Sequence, residues 1–449
     1  MNVLIIGNGI AGVTAARHLR KLSDDVNITI ISDETDYFFS RTALMYVFMG
    51  HMRPKDVQPY EDWFWGKNRI NLVRARVTSI DFDLKKLYTN SLEKIFSYDK
   101  LIIATGSKSN KFGWVGQDLD GVHGLYHWQD LEAMQRHAKK GVRRAIIVGG
   151  GLIGIEMAEM FLSHKIPVTF LVREKSFWKV VLPAEESEMV NRHIREHHID
   201  LRLESELSEI LDENNDGVAD AVILKSGEKI LCDFVGLTVG VSPNIDFLRK
   251  DAITQLKINK GIVVNAFLET NILDVYAIGD CAEIEKPQLG RKAIEAVWYT
   301  GRMMGETVAK NVLEKKIAYN PGIWFNSAKF LDIEYQVYGD LISNSVYWEH
   351  ADGKKSIRIC YDKNSGAVLG FNLMGIRYRQ VVCEKWIREK THIEHVLQHL
   401  GMANFDPEFF SEYETAVIDV YNKNTGKNIV LKTKRGLNPV LKFVNSLIR

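Results

Sequence analysis

Two glycine-rich turns constrain what this 449-residue chain can fold into more than any other feature of its sequence. The first, GNGIAG at residues 7–12, follows a short apolar run and precedes a stretch with helical periodicity. In such a strand–turn–helix unit, Gly7 permits the tight turn, Gly9 lets backbone N–H groups approach a pyrophosphate, and Gly12 lets the helix pack on the strand. Because the helix presents its positive N-terminal end to the turn, the sequence predicts a dinucleotide site here.

The second turn, GGGLIG at residues 149–154, lies in the same order between the apolar run RRAIIV and another helical stretch. One such match is a weak signal, because an ordinary glycine turn produces the same letters. Two units make coincidence a poor explanation, so Gly149, Gly151 and Gly154 are candidate contacts of a second dinucleotide. The chain is therefore predicted to be an α/β protein with two Rossmann-like dinucleotide-binding domains.

The residues that follow the second strand of each unit indicate which sugar is bound. In the first unit, NITII is followed by Asp33 and Glu34, and a carboxylate at this place can accept both ribose hydroxyls; Asp33 is slightly favoured. In the second unit, VTFLV is followed by Arg173 and Glu174. An arginine pairs with the 2′-phosphate of NADPH, whereas Glu174 could turn inward or neutralise Arg173, so NADPH is favoured over NADH only slightly.

Composition and charge exclude several other classes. The formal net charge of +1 provides no global field that would recruit nucleic acid. The chain passes from Met1 directly into an apolar run, and no stretch has the ~18 apolar residues of a spanning helix, so a cytoplasmic location is expected. The four cysteines form no CxxC pair, which argues against disulfides and a cysteine-bound metal. His392, His395 and His399 are predicted on adjacent turns of one helix and are interpreted as a solvated or interface face of it, so no metal centre is expected.

Three further motifs follow the first turn: LIIATGS at residues 101–107, TVGVSPN at 238–244 and VYAIGDCA at 275–282. With the two turns, this set resembles the FAD-dependent pyridine nucleotide-disulfide oxidoreductases over about residues 1–320. The resemblance implies FAD at the first turn and NAD(P)H at the second. It also implies an FAD domain in two parts (1–115 and 243–320), an inserted NAD(P) domain (116–242) and a C-terminal α+β interface domain (321–449) that in many members helps to form a dimer.

The resemblance assigns further residues to the cofactors. Thr105 and Gly106 fall at the crossing between domains beside FAD, and Gly279 and Asp280 fall near the flavin's ribityl and phosphate groups. Asp280 also follows an apolar strand, where an acid can meet sugar hydroxyls; a turn or N-cap role is the alternative. Glu156 resembles the family's glutamate near flavin and nicotinamide, with a positioning role in catalysis; the alternative is an exposed helix residue in a surface pair.

The stretch FFSRTALMY at residues 38–46 contains no cysteine. Relatives with a redox-active sulfur carry one or two cysteines here, and Thr42 occupies the single-cysteine position, where a hydroxyl cannot form a thiolate or a mixed disulfide. Ser40 and Arg41 resemble the cysteine-free branch, which includes rubredoxin and ferredoxin reductases and the flavin half of assimilatory nitrite reductase. In that branch the arginine lies over FAD. Tyr46 replaces the lysine that ferredoxin reductases place beside the flavin, so Tyr46 is the second candidate catalytic residue and the acceptor site is altered.

These observations predict an FAD-dependent NAD(P)H:acceptor oxidoreductase that works without a protein dithiol. An iron–sulfur or similar electron-carrier protein is the first choice of acceptor. A peripheral quinone reductase is the alternative, followed by a reductase of oxygen or a small molecule, and a flavin-binding sensor is the alternative from another class.

The basic segment NPVLKFVNSLIR at residues 438–449 predicts an amphipathic helix that caps its own domain, contacts an anionic membrane or docks on an acidic carrier.

Overall fold

The structure is a computed structural model that describes residues 1–91, 94–249, 255–341, 344–405 and 411–432. The chain divides into two compact units, Met1–Pro321 and Gly322–Arg449. The predicted amphipathic helix at residues 438–449 lies outside the described residues. Among the helices that are described, none combines the length and the apolar character needed to cross a membrane.

The first unit alternates strands and helices along the chain. Its strands are β1 (Asn2–Ile6), β2 (Asn27–Ser32), β3 (Ile70–Arg74), β4 (Val77–Asp81), β5 (Lys86–Thr89), β6 (Ile95–Ser97), β7 (Lys100–Ile103), β8 (Ser107–Ser109), β9 (Val122–His123), β10 (Ala145–Val148), β11 (Val168–Leu171), β12 (Asp200–Arg202), β13 (Leu207–Leu211), β14 (Ala221–Leu224), β15 (Lys229–Leu231), β16 (Phe234–Leu237), β17 (Val241–Pro243), β18 (Ile262–Val264), β19 (Val275–Ala277) and β20 (Ala282–Ile284). Its helices are α1 (Ile10–Leu22), α2 (Leu44–Phe48), α3 (Asp62–Lys67), α4 (Trp128–Gly141), α5 (Leu152–Ser163), α6 (Ala184–Glu196), α7 (Asp246–Arg249) and α8 (Trp298–Val312).

A five-stranded parallel sheet, in the order β19-β7-β1-β2-β3, carries the first glycine turn. Its inner strands are almost continuous apolar runs, and Val3, Ile5 and Leu101 are fully buried, as parallel strands covered on both faces require. The carboxyl ends of parallel strands meet at one edge of a sheet. This edge therefore gathers the first glycine turn after β1, the acidic pair after β2 and the glycine–aspartate pair after β19.

A second parallel sheet, in the order β12-β11-β10-β16-β9, carries the second glycine turn between β10 and α5. All its strands fall in the sequence between β7 and β19, so the chain leaves the first sheet, completes the second and then returns. The smaller sheets are antiparallel β4-β5-β6, β13-β14-β15 and β17-β8, and parallel β18-β20. The predicted α/β class with two Rossmann-like units is confirmed.

The second unit is built on an antiparallel sheet in the order β21-β22-β25-β24-β23. Its elements are β21 (Phe325–Phe330), β22 (Ile333–Gly339), β23 (Asn344–Glu349), β24 (Ser356–Tyr361), β25 (Val368–Met374), α9 (Gln380–Arg388), α10 (Ile393–Gln398) and α11 (Glu414–Thr425). Of the three histidines predicted on one helix, His395 lies inside α10, whereas His392 and His399 flank it as N-cap and C-cap residues. The strands and helices together give the predicted α+β character.

Candidate active site

The first turn is held in place by contacts that only glycine permits. Gly7 has φ +110°, and a Cβ atom there would lie 2.2 Å from the carbonyl oxygen of Ala104. A Cβ atom on Gly12 would lie 2.1 Å from the carbonyl oxygen of Gly7, so helix α1 packs directly on the turn. Gly9 faces open space, with no atom within 4 Å of its Cβ position. The tight turn at Gly7 and the close packing at Gly12 are those that the sequence predicts, and the approach of a pyrophosphate to Gly9 stays a prediction.

Helix α1 begins at the turn with its backbone N–H groups available. Its N-cap residue, Gly9, provides no side-chain hydrogen bond, and its first turn holds no acidic residue. Free N–H groups and the helix dipole both favour an anion at this position. The end of α1 can therefore hold the pyrophosphate of a dinucleotide.

A cavity of about 490 Å³ opens beside the first turn. The residues predicted as site residues that line it are Gly7, Gly9, Asp33, Glu34, Arg41, Thr105, Gly106, Glu156, Gly279 and Asp280. Gly12 lies beneath the turn instead, and the predicted residues Tyr46, Gly149, Gly151, Gly154 and Arg173 do not line the cavity. The hydroxyl oxygen of Thr105 is buried and makes no hydrogen bond, so an acceptor or donor from a ligand would satisfy it.

Arg41 and Glu34 form a paired cation and anion in the cavity wall. The guanidinium donates to both carboxylate oxygens of Glu34, at 2.8 and 2.6 Å, and the backbone N–H of Trp128 donates to the same carboxylate at 2.8 Å. Burial alone would raise the pKa of Glu34, but the charge and hydrogen bonds of Arg41 hold it well below its usual range. Glu34 is therefore an anion that anchors Arg41 and the start of α4.

The guanidinium of Arg41 keeps donors for a ligand. It has five N–H groups, of which two are used by Glu34 and one by the backbone carbonyl of Tyr126. The remaining donors belong to a cation that lines the cavity, which suits a pyrophosphate. Asp33, which the sequence slightly favours for the ribose, also lines the cavity, but its side chain is 60% exposed and lies 3.9 Å from Arg76.

Asp280 also lines the cavity, and one of its carboxylate oxygens accepts two hydrogen bonds. The Ser107 hydroxyl and the Tyr126 hydroxyl each donate to its Oδ2 at 3.0 Å. Burial raises the pKa of Asp280, and these two donors oppose that shift. Sequence reasoning missed Tyr126, because no motif marks it and two of its partners, Arg41 and Asp280, lie 85 and 154 residues away in the chain.

Together these features fit FAD. The group requires donors for a pyrophosphate, polar side chains for a sugar-like chain and an apolar wall for its rings. Helix α1 and Arg41 provide the first, Asp280 and Thr105 the second, and Phe38, Phe39 and Leu125 contribute apolar surface to the same cavity. All three requirements are met within one cavity.

No cysteine in the described part of the chain lines this cavity, whereas Thr42 does. The four cysteines are free and buried. Cys281 is the one nearest in sequence to the cavity residues, and its thiol donates to the carbonyl oxygens of Ile278 and Ile103. Burial raises the pKa of the Cys281 thiol, which keeps it protonated and unreactive.

Glu156 reaches the cavity from helix α5, the helix that follows the second turn. Burial, with a smaller contribution from Glu159, raises the pKa of Glu156 to about 8. Its carboxyl group is therefore mostly protonated at neutral pH and can donate a hydrogen bond. Tyr46, the other residue predicted as catalytic, lies in α2 with its ring 6.4 Å from that of His51.

The second turn has the same backbone constraints as the first. Gly149 has φ +116°, with its Cβ position 2.5 Å from the carbonyl oxygen of Thr238, and a Cβ on Gly154 would lie 2.3 Å from the carbonyl oxygen of Gly149. Helix α5 begins after Gly151 without a side-chain cap or a first-turn acid. Beyond β11, Arg173 is 70% exposed and pairs with Glu174 at 2.8 Å.

One group of metal-type ligands is brought together in this unit. Asp120, His123 and His137 place one ligand atom each within 4.8 Å of one another. The Asp120 carboxylate is already engaged, with one oxygen 2.9 Å from His137 Nε2 and the other 3.8 Å from Lys140 Nζ. Both oxygens of the Asp120 carboxylate therefore already have a partner within the protein.

Two Rossmann-like units, with a helix of the second reaching the cavity of the first, define an oxidoreductase that uses two dinucleotides. The family model for pyridine nucleotide-disulphide oxidoreductases matches residues 1–299. The chain belongs to this family, which implies FAD and NAD(P)H as cofactors and the activity of an FAD-dependent NAD(P)H oxidoreductase.

Individual relatives extend the comparison. The chain is 29% identical to a rubredoxin-NAD(+) reductase of Acinetobacter baylyi over 288 residues, 63% of this chain and 72% of the relative. It is 30% identical over 284 residues to a nitrite reductase [NAD(P)H] of Bacillus subtilis, 63% of this chain but only 34% of that protein. The crystal structure of a ferredoxin reductase from Rhodopseudomonas palustris has the same fold, with a TM-score of 0.77 and 22% identity over 93% of this chain and 99% of that one.

Proposed function

We propose that the protein transfers electrons from NAD(P)H through FAD to an external electron-carrier protein, without a redox-active dithiol. The observation that carries this proposal is the chemistry of the cavity wall. Thr42 lines the cavity at the position where sulfur-dependent relatives are expected to carry a cysteine, and the four cysteines are buried. Two relatives named for rubredoxin and nitrite support an acceptor outside the chain.

The residues of the cavity divide the work of holding FAD. The N-terminus of α1 and the remaining N–H donors of Arg41 bind the pyrophosphate, and Asp280 and Thr105 accept the sugar-like hydroxyls. When bound there, FAD would supply the redox chemistry that connects NAD(P)H with the electron acceptor. Glu156 orients the nicotinamide and flavin by donating a hydrogen bond from its protonated carboxyl, and hydride transfer itself depends on close stacking of the rings rather than on an acid or base.

The second turn binds NAD(P)H, with NADPH slightly favoured because Arg173 follows β11. The pair between Arg173 and Glu174 is exposed, so the arginine can exchange its carboxylate partner for a 2′-phosphate at little cost.

We further propose a homodimer formed through the C-terminal domain. Peripheral membrane contact through the basic tail is the alternative that would favour a quinone as acceptor.

Anaerobic titration of the purified flavoprotein with NADH and, separately, NADPH tests the proposal. We expect loss of the visible flavin absorbance with at least one nucleotide and its return when an oxidised rubredoxin or ferredoxin is added. No bleaching by either nucleotide would leave a flavin-binding sensor as the better description. Bleaching that only a quinone reverses would favour the quinone reductase. Alkylation of accessible thiols should leave turnover unchanged.

A further inference from the structure

Tyr126 connects three separate segments of the cavity wall. Its hydroxyl accepts a hydrogen bond from the backbone N–H of Ser107 and donates to Oδ2 of Asp280, each at 3.0 Å. Its backbone carbonyl accepts from Arg41, and the guanidinium carbon of Arg41 lies 4.5 Å from the centre of its ring. One side chain therefore touches both the acid and the cation that the proposed function assigns to FAD.

We propose that Tyr126 is a positioning residue of the flavin site, which holds Asp280 and Arg41 in the arrangement that binds FAD. The inference rests on the proposed function, because it concerns the same cavity. Tyr126 lies between β9, an edge strand of the second parallel sheet, and α4. Flavin binding is thus supported by a residue outside the two glycine turns.

The direction of the hydrogen bonds follows from the chemistry of the phenol. A tyrosine hydroxyl has one proton, and because the Ser107 N–H can only donate, that proton goes to Asp280. The Ser107 hydroxyl donates to the same carboxylate oxygen. Both donors thus use Oδ2, which leaves Oδ1 of Asp280 outside this pair of bonds and available to a cofactor hydroxyl.

The ring and the carbonyl act on Arg41 from the other side. Glu34 fixes the guanidinium by two hydrogen bonds, and the ring of Tyr126 adds a cation–π contact while its carbonyl takes one N–H. A guanidinium held by a carboxylate, a ring and a carbonyl has few orientations left. Its free donors are therefore pre-organised for a phosphate, which reduces the entropy cost of binding.

The substitution Tyr126→Phe removes the hydroxyl and retains the ring and the carbonyl. We expect the FAD dissociation constant to rise about tenfold, because a carboxylate loses one of its two donors and the N–H of Ser107 loses its acceptor. The measurement is fluorescence recovery of FAD during controlled dissociation and reconstitution of the purified holoenzyme. A dissociation constant within twofold of the wild type would overturn the proposal.

Tyr60→Phe is a matched control. The guanidinium carbon of Arg17 lies 4.9 Å from the centre of the Tyr60 ring, and Tyr60 does not line the cavity. We expect no change in FAD affinity. An equal loss in both variants would show a general effect of removing a tyrosine hydroxyl and would refute a specific role for Tyr126.

A double-mutant cycle separates positioning from structural support. If Tyr126 acts through Asp280, Tyr126→Phe should change FAD affinity less than twofold in an Asp280→Asn background. The same tenfold loss in both backgrounds would contradict the inference. If Tyr126→Phe does not fold, Ser107→Ala removes the second donor to the same oxygen, and unchanged FAD affinity there would also overturn it. Wild-type protein that binds no FAD would instead refute the proposed function.

Discussion

The two glycine turns of this protein have nearly the same backbone but very different surroundings. At the first, the acid after the second strand, Glu34, has a side chain that is 10% exposed and is locked to Arg41 and the start of α4. At the second, the corresponding residues Arg173 and Glu174 pair with each other at the surface. The first turn opens onto a cavity of about 490 Å³, and the glycines of the second do not line it.

This difference matches the two tasks that the proposed function requires. A cofactor that stays bound benefits from buried, pre-organised partners, because their conformational cost is met during folding. A substrate that must enter and leave at every turnover needs an accessible site whose charges remain hydrated. Under the proposed function, the same local motif serves a resident cofactor at the first turn and an exchanging one at the second.

Substitution of Gly12 and Gly154, on which the helix of each turn packs closely, should produce the largest effects. The two substitutions should affect different cofactors. Gly12→Ala places a methyl group 2.1 Å from the Gly7 carbonyl oxygen, and Gly154→Ala places one 2.3 Å from that of Gly149. We expect Gly12→Ala to yield protein without flavin and Gly154→Ala to retain flavin but lose reduction by NAD(P)H. The flavin-to-protein ratio and anaerobic bleaching measure this, with Gly66→Ala, whose Cβ position is open, as control. Loss of flavin from both variants would break the comparison.

Replacing Arg41 should lower the free energy of unfolding much more than replacing Arg173. Arg41→Met removes the guanidinium that pairs with the buried Glu34 carboxylate, which should lower the free energy of unfolding by about 3 kcal/mol. Arg173→Met, at an exposed pair, should lower it by less than about 0.5 kcal/mol. Urea unfolding of the flavin-free variants provides the measurement, and Glu34→Gln combined with Arg41→Met should recover part of the loss. Similar losses at both sites would show that the buried pair is no stronger than the exposed one.

The buried carboxyl group of Glu156 should make the free energy of unfolding depend on pH. Its pKa is raised to about 8 in the folded state from the 4.5 of an exposed glutamate. The folded state therefore holds a proton that the unfolded state releases, so the stability decreases as pH rises from about 4.5 to about 8. Thermal unfolding of flavin-free wild type and Glu156→Gln should show a steeper decline for the wild type in this range. Parallel curves would mean that Glu156 is ionised and hydrated.

The smallest expected effect concerns the choice of nicotinamide cofactor. If Arg173 binds the 2′-phosphate, Arg173→Ala should raise the KM for NADPH about fivefold and leave that for NADH unchanged. Glu174→Gln releases the arginine and should lower the KM for NADPH about twofold. Steady-state kinetics with both nucleotides provides the test. Equal changes for NADH and NADPH would show that Arg173 plays no part in the selection.

The strands and the two turns could be predicted because their signals are local. An apolar run followed by GNGIAG or GGGLIG specifies a strand, a turn and a helix from neighbouring residues alone, and the structure has β1 with α1 and β10 with α5 at these places. The alternating apolar residues at 332–339, 345–350 and 356–375 predict antiparallel strands, the last with an Asn-Ser-Gly turn, and the structure has β22 to β25 there, with Gly366 at φ +71° before β25. Alternating apolar residues give this signal without any knowledge of distant contacts.

The cavity residues required more than local signals. The sequence pointed to an acid after β2 and slightly preferred Asp33, whereas the structure buries Glu34 and pairs it with Arg41. Both residues are carboxylates beside the same strand, and only the approach of Arg41 and α4 distinguishes them. The roles of the individual site residues therefore remain predictions that the experiments above address.

The sequence by itself determined that the chain forms two dinucleotide-binding units, since the two strand–turn–helix motifs follow from residue types at fixed spacing, and the family resemblance placed Thr42 where sulfur-dependent relatives carry a cysteine. Tertiary structure alone decided that Tyr126 joins Ser107, Asp280 and Arg41, and that Glu34 rather than Asp33 is buried against Arg41. The reason is physical: hydrogen bonds and desolvation depend on which groups meet in space. Residues far apart in the chain leave no periodic pattern that would reveal such a meeting.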